Sequence, residues 1–386
     1  MTNKKRVFLI VLDSVGAGSA PDAPLFGDEG ANTLKSVYES GKLNIPTMIR
    51  LGIGSIDGLS FLGINAAHEG RVARMTERSA GKDTTIGHWE IAGYISENPL
   101  PTYPDGFDED IIDKLTKAWG RGVLCNRPYS GTAVINDYGA EHLREGKLIV
   151  YTSADSVLQI AAHTDAVSLD ELYGYCLTAR ELMTGKNGVG RVIARPFCGV
   201  EGSFVRTADR RDFSIEPPCR MITDALKENG MDSIAVGKIS DIFACRGFTR
   251  SIHTHSNDEG MSACDRLLDE DFRGLCFVNL VDFDMLWGHR RDVLGYAEGL
   301  NRFDAWLDGF ISRMRDGDML IITADHGCDP AFVKTTDHTR EYTPCIIYGS
   351  GVAPENLGTR STFADIAATV SAALGVPFEC AGESMI

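Results

Sequence analysis

The most constraining feature of this 386-residue chain is a set of short, mainly apolar runs, three of them stopped by an acidic or histidine-bearing segment. Residues 7–12 read VFLIVL and are stopped by Asp13. Residues 275–281 lead into Asp282-Phe-Asp284 and His289, and residues 319–323 lead through Ala324 into Asp325-His326-Gly327. Further runs occupy 148–151, 192–194 and 234–236. Runs this short, with no polar alternation, are strands covered on both faces, as in a parallel sheet. Between them lie helical patterns. Leu300, Phe303, Leu307, Phe310 and Met314 repeat at helical spacing. Thr362 can cap a helix with Asp365 in its first turn and Ile366, Val370 and Leu374 as its stripe, stopped by Gly375 and Pro377. Strands alternating with helices predict an α/β fold with a mainly parallel sheet flanked by helices.

Two proline clusters punctuate the pattern: NPLPTYP at 98–104 and IEPPC at 215–219. Proline removes a backbone donor and stiffens the chain, which suits crossings between domains. The clusters enclose about 120 residues, enough for a core of their own. The expected organisation is a discontinuous core, 1–100 and 218–386, with a smaller α/β cap domain inserted at 101–217.

With 38 basic and 54 acidic residues the formal charge is −16. An acidic surface repels phosphate backbones and anionic lipid heads, so neither nucleic acid nor membrane is the expected partner. A local cation can still hold a small anion. The ten cysteines form no CxxC pair, and several, such as Cys276 in LCFVNL, sit in apolar runs. Those several read as small buried hydrophobes, and reduced thiols in the cytoplasm are the expected state of the set. The apolar run at 7–12 is too short for a secretion signal or a membrane span.

In open parallel sheets ligands bind beyond the carboxyl ends of the strands. Asp13, Asp284, His289, Asp325 and His326 would collect there, and the polar segment TTDHTREYTP (335–344) adds His338. Six oxygen and nitrogen ligands without a thiolate are too many for one tetrahedral ion and enough for two. The set suits Mn, Mg, Fe or Zn. Two such ions roughly 4 Å apart clamp the attacking and leaving oxygens of a phosphoryl transfer. SAGKDTTIGHWEIAG (79–93) offers the nucleophile, either Thr84 or Thr85, whose hydroxyl a metal can activate.

VLDSVGAGSAPDA (11–23), GKDTTIGHWEIAG (81–93), YTSADSVLQIAAH (151–163), GRVIARPF (190–197), GKISDI (237–242), NLVDFDMLWGHRRD (279–292), TADHGCDP (323–330) and TDHTREYTP (336–344) closely resemble the phosphopentomutase family of the alkaline phosphatase superfamily. The likeness runs to about Gly382. ADHG alone would indicate only the superfamily; the combination with GKDT, GHWE, YTSADS and the DFD–GHRRD segment is specific. The resemblance implies interconversion of α-D-ribose 1-phosphate and D-ribose 5-phosphate, and of the 2-deoxy pair. It implies an alkaline-phosphatase-like core holding two Mn²⁺, other divalent metals being possible. Asp13, Asp325 and His326 would bind one ion, and Asp284, His289 and His338 the other. Thr84 would carry the phosphoryl group, loaded at first by a bisphosphate sugar primer. Cys328 departs from the asparagine expected after DHG and puts a thiol beside the metals. In the inserted domain, Ser153 and Asp155 at a strand end can bind sugar hydroxyls. Arg191 and Arg195 share one face of a strand, Arg206, Arg210 and Arg211 follow, and all can bind phosphate. Lys238 of the core can also reach phosphate. A metal-dependent phosphohydrolase of the same superfamily would share the six ligands and the nucleophile; the inserted-domain motifs favour the mutase.

Overall fold

The computed structural model describes residues 5–153 and 155–386. The chain forms two compact units, one made of Met1–Pro99 and Pro217–Ile386, the other of Leu100–Glu216. Strands are numbered along the chain. β1 (Arg6–Leu12) and β2 (Arg71–Met75) precede the smaller unit. β3 (Val123–Pro128), β4 (Leu148–Thr152), β5 (Val157–His163), β6 (Arg191–Cys198), β7 (Val205–Arg206) and β8 (Arg211–Ser214) lie within it. β9 (Asp232–Val236), β10 (Arg250–Ile252), β11 (Gly274–Leu280), β12 (Asp318–Thr323), β13 (Thr343–Gly349) and β14 (Glu355–Arg360) follow it.

The larger unit is built on an eight-stranded sheet in the order β10-β9-β11-β1-β12-β13-β2-β14. Its pairings are parallel except on the two sides of β13, which runs against β12 and β2. The sheet is thus mainly parallel, as the continuous apolar runs require: β1 and β11 are buried at every position. Phe8, Ile10 and Leu12 pack with Leu300, Phe303, Leu307 and Phe310 of helix Val293–Ser312 in one large core. That helix is longer than its apolar repeat, because Asp292 caps it by accepting from the Gly295 amide. Thr362 accepts from the Ala364 amide at the start of helix Ala364–Leu374. At the amino end of the sheet Arg6 donates twice to Asp318, at 2.8 and 2.6 Å, and both are buried.

The pairing registers position the site. Leu12 lies beside Leu280, and Val11 beside Thr323. The residues that follow β1, β11 and β12 therefore emerge together at one edge. Because β13 is reversed, its start, Thr343, lies at this same edge opposite Met75, the end of β2. The loop before β13 and the chain after β2 are delivered to the three central strand ends.

The smaller unit is a mixed six-stranded sheet, β3-β4-β5-β6-β7, with β8 also on β6. One face carries helices Glu109–Trp119 and Leu169–Leu182 over Leu148, Val150, Leu158, Ile160 and Val192. The other carries helix Ala133–Glu145 over Ile149, Ala161 and Phe197.

Candidate active site

Three carboxylates and three imidazoles converge at the carboxyl edge of the larger sheet. Asp284, His289 and His338 each offer a ligand atom, all within 4.8 Å of one another, and Asp13, Asp325 and His326 do the same. Asp13 follows β1 directly, and its amide donates to the Leu280 carbonyl. Asp284 lies in the π-helical turn Phe283–Gly288, after β11. His338 comes from the loop before β13 and is buried, not solvated as a polar-loop histidine usually is. The His326 and His338 rings stack at 3.9 Å and join the two trios.

The Nδ1 hydrogen bonds of the three imidazoles all have one sense. Nδ1 of His289 faces the Thr336 carbonyl at 2.8 Å, that of His338 the Lys82 carbonyl at 3.0 Å, and that of His326 the Gly327 carbonyl at 3.1 Å. A carbonyl only accepts, so each Nδ1 carries the proton and each Nε2 turns a lone pair inward. The inward atoms meet carboxylate oxygens: His326 Nε2 lies 3.4 Å from Asp13 and 3.2 Å from Asp325, and His338 Nε2 lies 3.4 Å from Asp284. Asp13 Oδ1, Asp284 Oδ1 and Asp325 Oδ2 are buried without a hydrogen-bond donor. Burial first, and then the charges of Asp325 and Asp284, push Asp13 up to about 7. Buried oxygens without donors, facing imidazole lone pairs, need positive charge between them, and divalent cations fit this donor set.

Helix Thr84–Ile91 carries the hydroxyl. Asp83 caps it, accepting from the amides of Thr85 and Ile86 at 3.0 and 3.1 Å. Thr84 is the first helical residue, and its Oγ1 lies 3.1 Å from His326 Nε2. The loop before it is clamped. Lys82 pairs with Asp28 at 2.9 Å, and buried Arg340 donates to Glu77, Asp22 and the Gly81 carbonyl. Ser14, next to Asp13, has φ 72°, a left-handed conformation that costs a non-glycine residue. Its amide donates to Asp325 at 3.1 Å. Glu341 accepts from Gly18, Thr33 and Thr339, gathering three loops beneath the site. Cys328 is buried, and burial pushes its thiol up; its sulfur lies 3.9 Å from the Asp337 carbonyl.

Lys238 is exposed and follows β9 at the same edge. The other sequence candidates lie in the smaller unit. Ser153 accepts from the Asp155 amide at 3.3 Å, and Arg191 lies 3.7 Å from Asp155 and 3.6 Å from Asp212. Arg195, Arg206 and Arg210 line a cavity with Pro196 and Thr207. Arg195 donates to Gln159 and Arg210 to Asp212, while the Tyr151 hydroxyl, close to Arg206, is buried without a partner. Sequence reasoning did not single out Lys82, Arg340, Glu341, His88 or Asn279. Asn279 carries a readable signal: it is the one polar side chain in the apolar strand GLCFVNL.

The metalloenzyme superfamily profile matches residues 5–377. The phosphopentomutase of Lachnoclostridium phytofermentans is 53% identical over 384 residues, 99% of this chain and 98% of its own. That of Caldanaerobacter subterraneus subsp. tengcongensis is 54% identical over 368 residues, 95% of this chain and 93% of its own. The chain belongs to the phosphopentomutase family. As a phosphopentomutase family member it is an isomerase that depends on divalent metal. The solved structure of the PH0037 protein from Pyrococcus horikoshii aligns with a TM-score of 0.52 at 14% identity, over 98% of this chain and 99% of that one, a likeness of fold. The α/β core with a mainly parallel sheet flanked by helices, expected from the sequence, is the one observed. Among the described residues no helix is long and apolar enough to cross a membrane.

Proposed function

We propose that this phosphopentomutase family member interconverts α-D-ribose 1-phosphate and D-ribose 5-phosphate, and the 2-deoxy pair, through a phosphothreonine at Thr84 and a pentose 1,5-bisphosphate. The observation that carries this reading is the Thr84 hydroxyl, 3.1 Å from His326 at the join of two ligand trios. Asp13, Asp325 and His326 would hold one Mn²⁺, and Asp284, His289 and His338 a second. The ions when bound supply positive charge that offsets the transferring phosphoryl group and lowers the pKa of an oxygen beside them. The inward Nε2 atoms and donor-free carboxylate oxygens support this division of ligands.

The chain's own groups set up the transfer. Phosphothreonine at position 84 gives its phosphoryl group to the free hydroxyl of the bound monophosphate. The new O–P bond forms as the Thr84 O–P bond breaks, and the proton of the accepting hydroxyl leaves as the Thr84 oxygen takes one up. The bisphosphate then presents its other phosphate, and the reverse transfer reloads Thr84. A bisphosphate sugar primer would load the first phosphate. We assign residues 1–100 and 218–386 to the metal-binding core and 101–217 to a cap. Ser153 and Asp155 would bind sugar hydroxyls. Arg191, Arg195 and Arg206 would hold the non-reacting phosphate, and Lys238 of the core is a separate phosphate-binding candidate. The unpartnered Tyr151 hydroxyl beside Arg206 supports an anion there. The reactants are small sugar phosphates, and the cytoplasm is the expected compartment.

The test is to incubate the protein with ribose 1-phosphate, Mn²⁺ and a bisphosphate sugar primer, following ribose 5-phosphate and free phosphate separately. Stoichiometric ribose 5-phosphate with little free phosphate is expected. Free phosphate as the main product would make the chain a phosphohydrolase of the same fold.

A further inference from the structure

His88 is fully buried on the nucleophile's own helix and is not one of the six ligands. Its Nδ1 lies 2.8 Å from the Thr84 carbonyl and 3.1 Å from Asp325 Oδ2. Both neighbours only accept, so Nδ1 carries the proton; it donates to the Thr84 carbonyl, and the Asp325 carboxylate lies beside that N–H as a close electrostatic contact without accepting a hydrogen bond from it. Its Nε2 faces Asn279 Nδ2 at 3.4 Å, and that amide donates to Asp13 Oδ2 at 2.9 Å. Asn279 cannot turn its oxygen towards Asp13 without setting two acceptors against each other. The amide orientation therefore leaves His88 Nε2 as an acceptor. The ring is held on its face by Phe277, at 5.9 Å between centroids.

We propose that His88 and Asn279 are positioning residues that lock the Thr84 backbone, Asp325 and Asp13 into one rigid unit. Resting on the Proposed function reading, this unit is one of the two metal sites together with its nucleophile. Each of its two carboxylates is steered by a different member of the pair, His88 for Asp325 and Asn279 for Asp13. Among the described residues neither His88 nor Asn279 is hydrogen-bonded to Asp284, His289 or His338, whose own hydrogen bonds run to the Thr336 and Lys82 carbonyls and to each other. The pair's effect should therefore fall on one metal equivalent and not on both. Groups that orient metal ligands in this way typically change affinity by roughly 10- to 100-fold.

The test is Mn²⁺ titration of the full-length protein, wild type against His88→Ala, His88→Asn and Asp325→Asn, with phosphorylation at residue 84 quantified by mass spectrometry. Asparagine places an amide N–H near the position of the imidazole Nδ1–H. His88→Ala is expected to weaken one Mn²⁺ equivalent at least tenfold, leave the other within about threefold, and lower phosphothreonine yield. His88→Asn is expected to restore most of that affinity, which a purely space-filling role would not allow. If His88→Ala does not fold, His88→Asn against wild type carries the test, with the weaker equivalent expected within about tenfold. Wild-type affinity in His88→Ala, equal weakening of both equivalents, or no rescue by asparagine would overturn the proposal. Asp325→Asn separates the two levels. If it keeps both Mn²⁺ equivalents, the assignment of the metal site has failed. If it loses one while His88→Ala loses nothing, only the positioning role has failed.

Discussion

Thr84 and Thr85 are adjacent hydroxyls in one motif, and a helix turns a side chain by about 100° per residue, so both cannot face the same target. Thr84 is the one beside His326. Thr84→Ala is expected to abolish phosphoenzyme, and Thr85→Ala to keep it; mapping the phosphorylated peptide reads this directly. Phosphate on Thr85 would move the nucleophile one position along. The neighbouring acids have different tasks. Asp83 is used up as a helix cap, and Glu90 accepts from Ser79, Thr362 and Phe363, so neither carboxylate faces the hydroxyl. Glu341 gives a pH signature. Burial pushes it from its ordinary 4.5 up to about 7, against the donors that surround it. A carboxyl raised in the folded state favours folding when protonated. Its contribution is full below about 4.5 and is lost as pH rises through about 7, a change on the order of 3 kcal/mol. The stability difference between wild type and Glu341→Gln, from urea unfolding, should therefore move against wild type as pH rises from 5 to 8. A difference independent of pH would show that Glu341 is ionised in the folded chain throughout. Little of this was legible in TREYTP, because apart from Thr339 the donors to Glu341 come from Gly18 and Thr33, distant in sequence.

Helix Thr84–Ile91 is short, and packing holds it in place more than propensity does. Gly87 is what lets it approach. A Cβ there would lie 2.3 Å from the Asp325 carbonyl oxygen, and that backbone cannot yield without moving Asp325 itself. Gly87→Ala is expected to cost about 1–3 kcal/mol in urea unfolding, as over-packing does, and to lower mutase turnover by more than tenfold. Wild-type turnover in that variant would show that the helix and the strand end need not be in contact. The glycine is visible in GHWE, but its reason is not, since the close neighbour is 238 positions away. Element type was readable for the opposite reason. β1, β11 and β12 announce themselves because both faces are buried, and helix Val293–Ser312 because only one is. The reversal of β13 has no such signature. A strand buried on both faces reads the same in either direction, yet this reversal brings His338 to the sheet edge.

At the scale of the molecule, each unit has a sheet and a core of its own, so the two can be separated by design. If the smaller unit retains the bisphosphate between half-reactions, its loss should expose phosphothreonine to water. Deleting residues 102–216 and bridging with a short Gly/Ser linker is expected to leave a folded, metal-binding core that hydrolyses simple phosphate esters slowly and has no mutase activity. Persisting conversion of ribose 1-phosphate to ribose 5-phosphate would remove the smaller unit from the source of specificity. What the sequence by itself determined is chemical and periodic: apolar runs that must be buried strands, acids and histidines at their ends, a threonine in a capped loop, and motifs dense enough to indicate a family. These are local properties, carried by neighbouring residues and the spacing between them. The tertiary structure decided how the six candidate ligand side chains come together in space as two trios, which imidazole nitrogen faces inward, and which of two threonines meets His326. Those outcomes depend on strand order, on the direction of β13, and on carbonyls and carboxylates supplied from far along the chain. Such contacts are set by packing and by the pairing of buried polar groups, and no local window of sequence contains both partners.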